Sequence, residues 1–465
     1  MNKFIVNRAP GITAAMNKAK FWLTENEQEV LLSPVQIRNY NHLTLSRAAQ
    51  LGKQNKFCDL SEYPAVLTAA ELRKKLLTVS NPDYLRLHNF YHPCYQSSAQ
   101  LAATELSPTV KELLIEELYL ESLAGNSERK FSVCFAVLVS RSNLRAYPTD
   151  KSYTRSRDSL EQDMFQLTAL SPGTPVAVLY YSKNDNWAFI QSKYYCGWLE
   201  KEKLAFSKTK AAALAYLDSK DFLVITGSHL QTEPYPASYH KTGLSFQMGD
   251  KIPLLTAEWE PLIKADFPDL SQALSAYQVV LPARDSQGQL YFERGIVAQS
   301  NDFNCGYLEY NRANLVKQAF KVLGERYGWG GIFKRRDCSR FLVDIYRSVG
   351  IELPRDTGLA QEKIPAAKDI ILQGSAAERK QQLTLLAAGD PLYMKGHVML
   401  YLGEHNDHHY VIHAAAGYSE LVNDSLTEIN VRAVFVMELE QFLKNKEQSY
   451  LDAIYLGRQF LLTQS

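Results

Sequence analysis

The chain has 465 residues, too many for one hydrophobic core and enough for roughly three or more domains. Its 51 Lys and Arg stand against 50 Asp and Glu, and the net charge of +1 excludes a whole-molecule pull toward nucleic acid or acidic membranes. The cysteines (Cys58, Cys94, Cys134, Cys196, Cys305 and Cys338) lack the close pairs of a zinc site and the density of a disulfide scaffold, so reduced thiols are expected.

The opening stretch, MNKFIVNRAPGITAAMNKAKFW, contains no uninterrupted apolar run of signal-peptide length, and no later run reaches the length of a membrane span. The expectation is a protein without a membrane span, cytoplasmic if the chain is complete and of the cell envelope or periplasm if it is a trimmed form. Residues 1–125 read mainly as helices. Ser33-Pro34-Val35-Gln36 has an N-cap serine, a proline at the first helical position and a capping-box glutamine; Ser107-Pro108 opens another helix, with Val110, Leu113, Leu114 and Leu118 on one face and Gly125 at its end. His42, His88 and His92 have no carboxylate or cysteine at metal-binding spacing and read as solvated or core histidines.

From about Phe131 the chain turns to short strands rich in Val, Tyr and Phe, split by Asn143, Pro148, Gly173 and Asn184-Asp185-Asn186. GTPVAVLYY at Gly173 is echoed by GDKIPLL at Gly249, and CGWLE at Cys196 by CGYLE at Cys305, as if one unit were used twice. Two small barrels are expected, over residues 126–206 and 218–310, with a linker between them and with Cys196 and Cys305 at equivalent strand positions.

After Tyr310 comes a helix carrying Leu315, Ala319, Val322 and Leu323, and then Tyr327 to Gly350, YGWGGIFKRRDCSRFLVDIYRSVG. Here a glycine-rich basic loop gives way to a helix whose apolar stripe is Phe341, Leu342, Ile345, Tyr346 and Val349. Cys338 falls at the helix start, where unpaired N–H groups, the helix dipole and Arg335, Arg336 and Arg340 are expected to favour a thiolate. Strands follow near Pro391 to Met394, His397 to Leu402, Tyr410 to Ala415 and Ala433 to Leu439, giving an α+β layout for residues 311–465, the ground plan of papain-like cysteine hydrolases. A thiol nucleophile needs a base, and the base an orienting group; His397 and His413, on adjacent antiparallel strands, can supply both. His405, His408 and His409 beside Asp407 read as a solvated hairpin tip, so no metal or other cofactor is expected.

The blocks YGWGG, DCSRFLVDIYRSVGIELPRDTGLAQ, GDPLYMKGHVMLYLG and YVIHAAAG resemble, in order, the NlpC-type cysteine peptidases of bacterial cell-wall turnover. The resemblance covers residue 311 to about 440 and implies Cys338 as nucleophile, His397 as general base and His413 as the third member. The whole chain, with an N-terminal clip-like segment, two bacterial SH3-type barrels and this domain, resembles the γ-D-glutamyl-L-diamino acid endopeptidases, whose partners are murein stem peptides with a free N-terminal L-alanine. The resemblance further implies substrate contacts at Asp337 and Ser339, with Asp337 otherwise capping the helix. It places Asp356 against the substrate ammonium, Tyr195 (or its neighbour Tyr194) at the amine subsite, and Trp329 with Tyr327 along the groove. An acidic residue of the first barrel is also expected at the amine, with Glu161 and Asp163 as candidates. Two other functions fit the same chain: a catalytically silent wall-binding scaffold, and a thiol acyltransferase or amidase acting on another substrate.

Overall fold

The computed structural model describes residues 7–50, 57–97, 100–157, 161–265, 274–357, 361–364, 368–423, 425–444 and 448–461. In its C-terminal part, the helix Cys338–Ser348 starts where the Asp337 side chain accepts from the Arg340 N–H, and the chain turns away at Gly350, whose φ of 86° suits glycine. Phe341, Leu342 and Ile345 are fully buried on this helix, and together with Leu315, Val316 and Ala319 of the helix Arg312–Lys321 they form the core against a sheet. That sheet is antiparallel and six-stranded, in the order Lys368–Ile371, Ile454–Gln459, Pro391–Met394, His397–His405, His408–Val422, Ser425–Glu438. The strands that carry the two histidines are joined by Asn406 and Asp407, both at positive φ, which are residue types that tolerate a tight hairpin.

The first β unit is one seven-stranded antiparallel sheet running from Cys134 to Ser207. The second is split into small sheets linked by the bridge Leu254↔Val279 and closed over a shared core of Leu223, Ile225, Phe246, Ile252 and Val279. The echoed glycines are equivalent: Gly173 and Gly249 turn at φ 78° and 80° just before the strands Pro175–Tyr181 and Lys251–Pro253. The echoed cysteines are not. Cys196 opens a strand inside the sheet, whereas Cys305 is exposed and ends the strand Phe303–Cys305, because the second unit must there release the chain into the C-terminal part. Five of the cysteines are free thiols; the side chain of Cys94 lies outside the described ones. Between the β units, where a linker was expected, lies the helix Lys210–Asp218, with Tyr216 buried and donating to the Val280 carbonyl at 3.0 Å.

In the N-terminal segment helices predominate, as expected, among them Pro34–Gln50, Ala69–Val79 and Pro108–Glu117, but a hairpin of Tyr91–Ser97 and Gln100–Glu105 interrupts them, tied to the first β unit by paired backbone bonds between Tyr91 and Thr154. The segment does not form one packed unit. Ile12, Met16, Trp22, Leu32 and Tyr40 join the C-terminal core, while Leu60, Leu67, Leu72, Phe90 and Leu114 join the core of the first β unit. Leu113, expected on the apolar face, is 55 % exposed, and the α-helix stops at Glu117 before a short 3-10 turn. No helix among the described residues is long and apolar enough to cross a membrane.

The second β unit meets the C-terminal part through charges taken out of water. Asp344, with no exposed surface, accepts from Arg336 Nε at 2.8 Å and Gln247 Nε2 at 2.9 Å and pairs with Arg340 at 2.5 Å. Asp344→Ala therefore leaves the buried Arg340 guanidinium without its carboxylate and Arg336 with Glu325 alone, and denaturant unfolding should show a loss of about 3–5 kcal/mol; a loss below about 1 kcal/mol would mean that water already compensates these charges.

Candidate active site

The glycine-rich loop has its shape because another unit presses on it. Gly330 and Gly331 sit at φ 55° and 84°, and a Cβ on them would come within 2.7 Å of Gln166 and 2.9 Å of Ala169. Gln166 donates to the Gly330 carbonyl at 2.9 Å, and Arg141 donates to that of Gly331. The loop returns to the Cys338 helix through the Gly330 N–H, which donates to Asp337 at 3.1 Å.

Asp337 is fully committed. It caps the helix through the Arg340 N–H at 2.8 Å, and Arg355 donates to both its oxygens, at 2.8 and 2.7 Å. Burial pushes its carboxyl up, but the Arg355 guanidinium outweighs that and holds it below the usual carboxylate range. Ser339 is also buried, with its hydroxyl on Asp337 at 3.2 Å. Of the two readings of Asp337, the geometry therefore favours capping: Asp337 and Ser339 floor the groove with their polar atoms already occupied. Arg355, at 1 % exposure, is the residue that the sequence reading passed over, although it stands beside Asp356.

Cys338 lines the groove, and both it and His397 are partly buried. The expected thiolate is not favoured. Burial pushes the Cys338 thiol up to about 12, Asp337 adds to the rise, and the Val398 N–H, Arg355 and the Ser339 N–H only moderate it. Two of the three arginines counted on from the sequence are engaged elsewhere: Arg336 and Arg340 spend their charge on Asp344, and Arg336 also on Glu325 at 2.8 Å. His397 Nε2 lies 2.8 Å from His413 Nδ1. Burial, with a smaller push from Lys444, drives His397 down to about 3, and His413, wholly buried against Phe435, is also neutral. If His397 donates from Nε2 to His413, its Nδ1 keeps a lone pair able to accept a proton; among the described residues His413 Nε2 has no hydrogen-bond partner. The Cys338 backbone N–H points at the Tyr327 hydroxyl, so both can meet an oxyanion formed beside the sulfur.

A groove of about 450 Å³ opens over the sulfur, with Tyr327, Trp329 and Asp356 on the C-terminal side and Met164, Gln166 and Tyr195 from the first β unit opposite. Tyr195 bridges the two sides by donating to Asp356 Oδ1 at 2.5 Å. Strand alternation does not decide between Tyr194 and Tyr195. Both lie in the turn ahead of Cys196–Glu200, gathered by the Ser192 hydroxyl, and they point apart: Tyr194 donates to Glu352 at 3.3 Å. Neither acidic candidate offers an uncommitted carboxylate. Glu161 is clamped by Arg326 and Arg432, and Asp163 is buried with Arg145 and the Tyr153 and Phe165 N–H groups. The hairpin-tip histidines do not converge: His405 stands edge-on to Phe21, and His409 is buried on the Tyr401 hydroxyl at 2.7 Å. Among the described residues, His408, Glu438 and Glu440 bring ligand atoms within 4.8 Å of one another, but Lys380 lies 3.3 Å from Glu440.

Residues 324–437 match the NlpC/P60 family, and residues 150–200 match the SH3 domain of SH3b1 type. An NlpC/P60 endopeptidase from Photobacterium damselae subsp. piscicida is similar in fold, with a TM-score of 0.69 at 17 % identity over 95 % of this chain and 96 % of that one. An NlpC/P60 family protein from Bacillus cereus ATCC 10987 aligns with a TM-score of 0.46 at 18 % identity, over 70 % of this chain and 100 % of that one. No curated protein matches the chain.

If Cys338 attacks with His397 as its base, both neutral at rest, the imidazole sets the acid side of the pH profile. His397 accepts a proton only while unprotonated, so the acid limb of kcat/KM should lie well below pH 6.5, toward about 3, for any substrate attacked by Cys338. A limb at or above 6.5 would point instead to a preformed thiolate–imidazolium pair.

Proposed function

With an NlpC/P60 domain of the cell-wall cysteine peptidases behind an SH3b-type domain as the premise, we propose that this chain hydrolyses the γ-D-glutamyl to L-diamino acid bond of murein stem peptides bearing a free N-terminal L-alanine. The observation that carries the reading is the Asp356–Tyr195 contact in the same groove as Cys338. A carboxylate held on the groove wall by a tyrosine from another unit suits a substrate ammonium.

In this mechanism His397 takes the Cys338 proton as the sulfur attacks the γ-carbonyl. The Cys338 N–H and Tyr327 hydroxyl receive the negative charge, and the imidazolium of His397, oriented by His413, protonates the departing amine. Water activated by the neutral imidazole then cleaves the thioester and frees the enzyme.

Mass spectrometry of L-Ala-γ-D-Glu-diamino acid peptides incubated with the full chain should show the γ-D-Glu bond cut, and Cys338→Ala should lower the rate about a thousandfold or more. Intact peptides with the wild type would favour a wall-binding scaffold. Asp356→Asn should raise KM about tenfold to a hundredfold for free-amine peptides, and change it little for N-acetylated ones, since only the former lose a charged hydrogen bond.

A further inference from the structure

A second cavity, of about 370 Å³, lies on the far side of the nucleophile helix, where all parts of the chain meet. Leu60 of the N-terminal segment, Lys193 and Tyr194 of the first β unit, Lys251 of the second, and Arg347 and Glu352 of the C-terminal part line it. No residue of the mechanism above uses it.

Its unusual member is Arg347. The side chain is 18 % exposed, yet no hydrogen bond among the described residues ends on its guanidinium, and its buried Nε has no partner. The nearest carboxylate oxygen, Asp250 Oδ1, lies at 3.6 Å, too far for a hydrogen bond, and is itself without a donor. A guanidinium has five N–H donors, and leaving them buried without acceptors is costly. Nor is the side chain loosely placed: a Cβ on Gly249 would come within 2.8 Å of Arg347 Cβ, so the glycine of the second β unit makes room for its stem.

Burial pulls the Arg347 guanidinium down, but Tyr194, Glu352, Asp250 and Asp344 outweigh that and hold it above its ordinary value, so its charge is met through space while its N–H groups find no acceptor among the described residues. Glu352 is taken by Lys193 at 3.1 Å and by Tyr194, and Arg340 is neutralised by Asp344. Lys251 donates to the Leu217 carbonyl at 2.6 Å, and burial pulls its ammonium down to about 8 against the attraction of Glu352 and Asp218, with Arg347 and Lys193 adding to the fall. Asp59 and Asp218 are also on the wall, as are the apolar side chains of Leu45, Leu214 and Leu217.

We propose that this junction cavity is a binding site for a small organic anion, a carboxylate or phosphate ester, with its oxyanion on the Arg347 fork beside Lys251 and its apolar part against the leucines. Arg347 stands nine residues along the helix that begins at Cys338, and Tyr194 adjoins the Tyr195 that holds Asp356. A bound anion therefore ties the units that form the catalytic groove and raises the stability of the assembled chain.

Calorimetric titration of the full chain with inorganic phosphate, with hexanoate and with uncharged hexanol tests this. At least one anion should bind saturably at one site per chain and raise the thermal midpoint, and hexanol should do neither. Phosphate or hexanoate binding alone tells the two oxyanion chemistries apart. Cys338→Ala should bind as the wild type does, which separates this site from the groove and from the proposed peptidase activity. Arg347→Gln should weaken binding tenfold or more; where circular dichroism shows that variant unfolded, Lys251→Met, which removes the ammonium lying 4.1 Å from the centre of the Phe222 ring, takes its place with the same expected loss. No saturable binding of either anion below about 10 mM, or affinity unchanged in the folded variant, overturns the proposal.

Discussion

Arg355 closes two hydrogen bonds on the buried carboxylate of Asp337, and much of the groove depends on that pair. Asp337 caps the N-terminus of the helix that begins at Cys338 and receives the Gly330 N–H, so one ion pair sets both where that helix starts and how the glycine-rich loop lies over it. Arg355 also donates to Thr168 at 3.2 Å, which carries the constraint into the first β unit. Such a pair is worth little as net stability once its desolvation is counted, but breaking it strands a charge, which makes the arrangement hard to exchange for another.

The same burial explains the chemistry. A thiol and two imidazoles crowded by protein are all held neutral, so no thiolate–imidazolium pair is favoured at rest. The helix dipole is present, but the charges that would have strengthened it are bound up in the contact with the second β unit. The arginines around Cys338 thus serve assembly: Arg336 reaches the Ser228 carbonyl at 3.0 Å while it holds Asp344.

The groove is a property of the assembled chain. Its floor and one wall come from the C-terminal part, its other wall from the first β unit, and the loop between is shaped by Gln166 and Ala169 pressing on two glycines. The N-terminal segment, divided between two cores, packs onto both sides of this arrangement, and Asn41 closes two bonds with Gly350 and Glu352 at the end of the nucleophile helix.

Local signals carried the C-terminal elements. The 3.6-residue stripe after Cys338, the Asp at its cap, the alternating strands and the two-residue Asn406-Asp407 turn each depend on neighbours a few positions away, and these elements form where periodicity placed them. The echoed glycines were legible for the same reason, since the positive φ each requires is a property of its own backbone. The fate of each charge was not. Whether Arg336 lowers a thiol pKa or neutralises Asp344, whether Asp337 is free or held by Arg355, and which tyrosine of a turn faces the groove depend on partners that folding brings together from distant parts of the chain. Glu161 shows the same limit, its carboxylate claimed by arginines far along the sequence. Sequence by itself determined which residues could do chemistry and on which elements they sit; tertiary structure decided their protonation and their partners, because desolvation and ion pairing act through space.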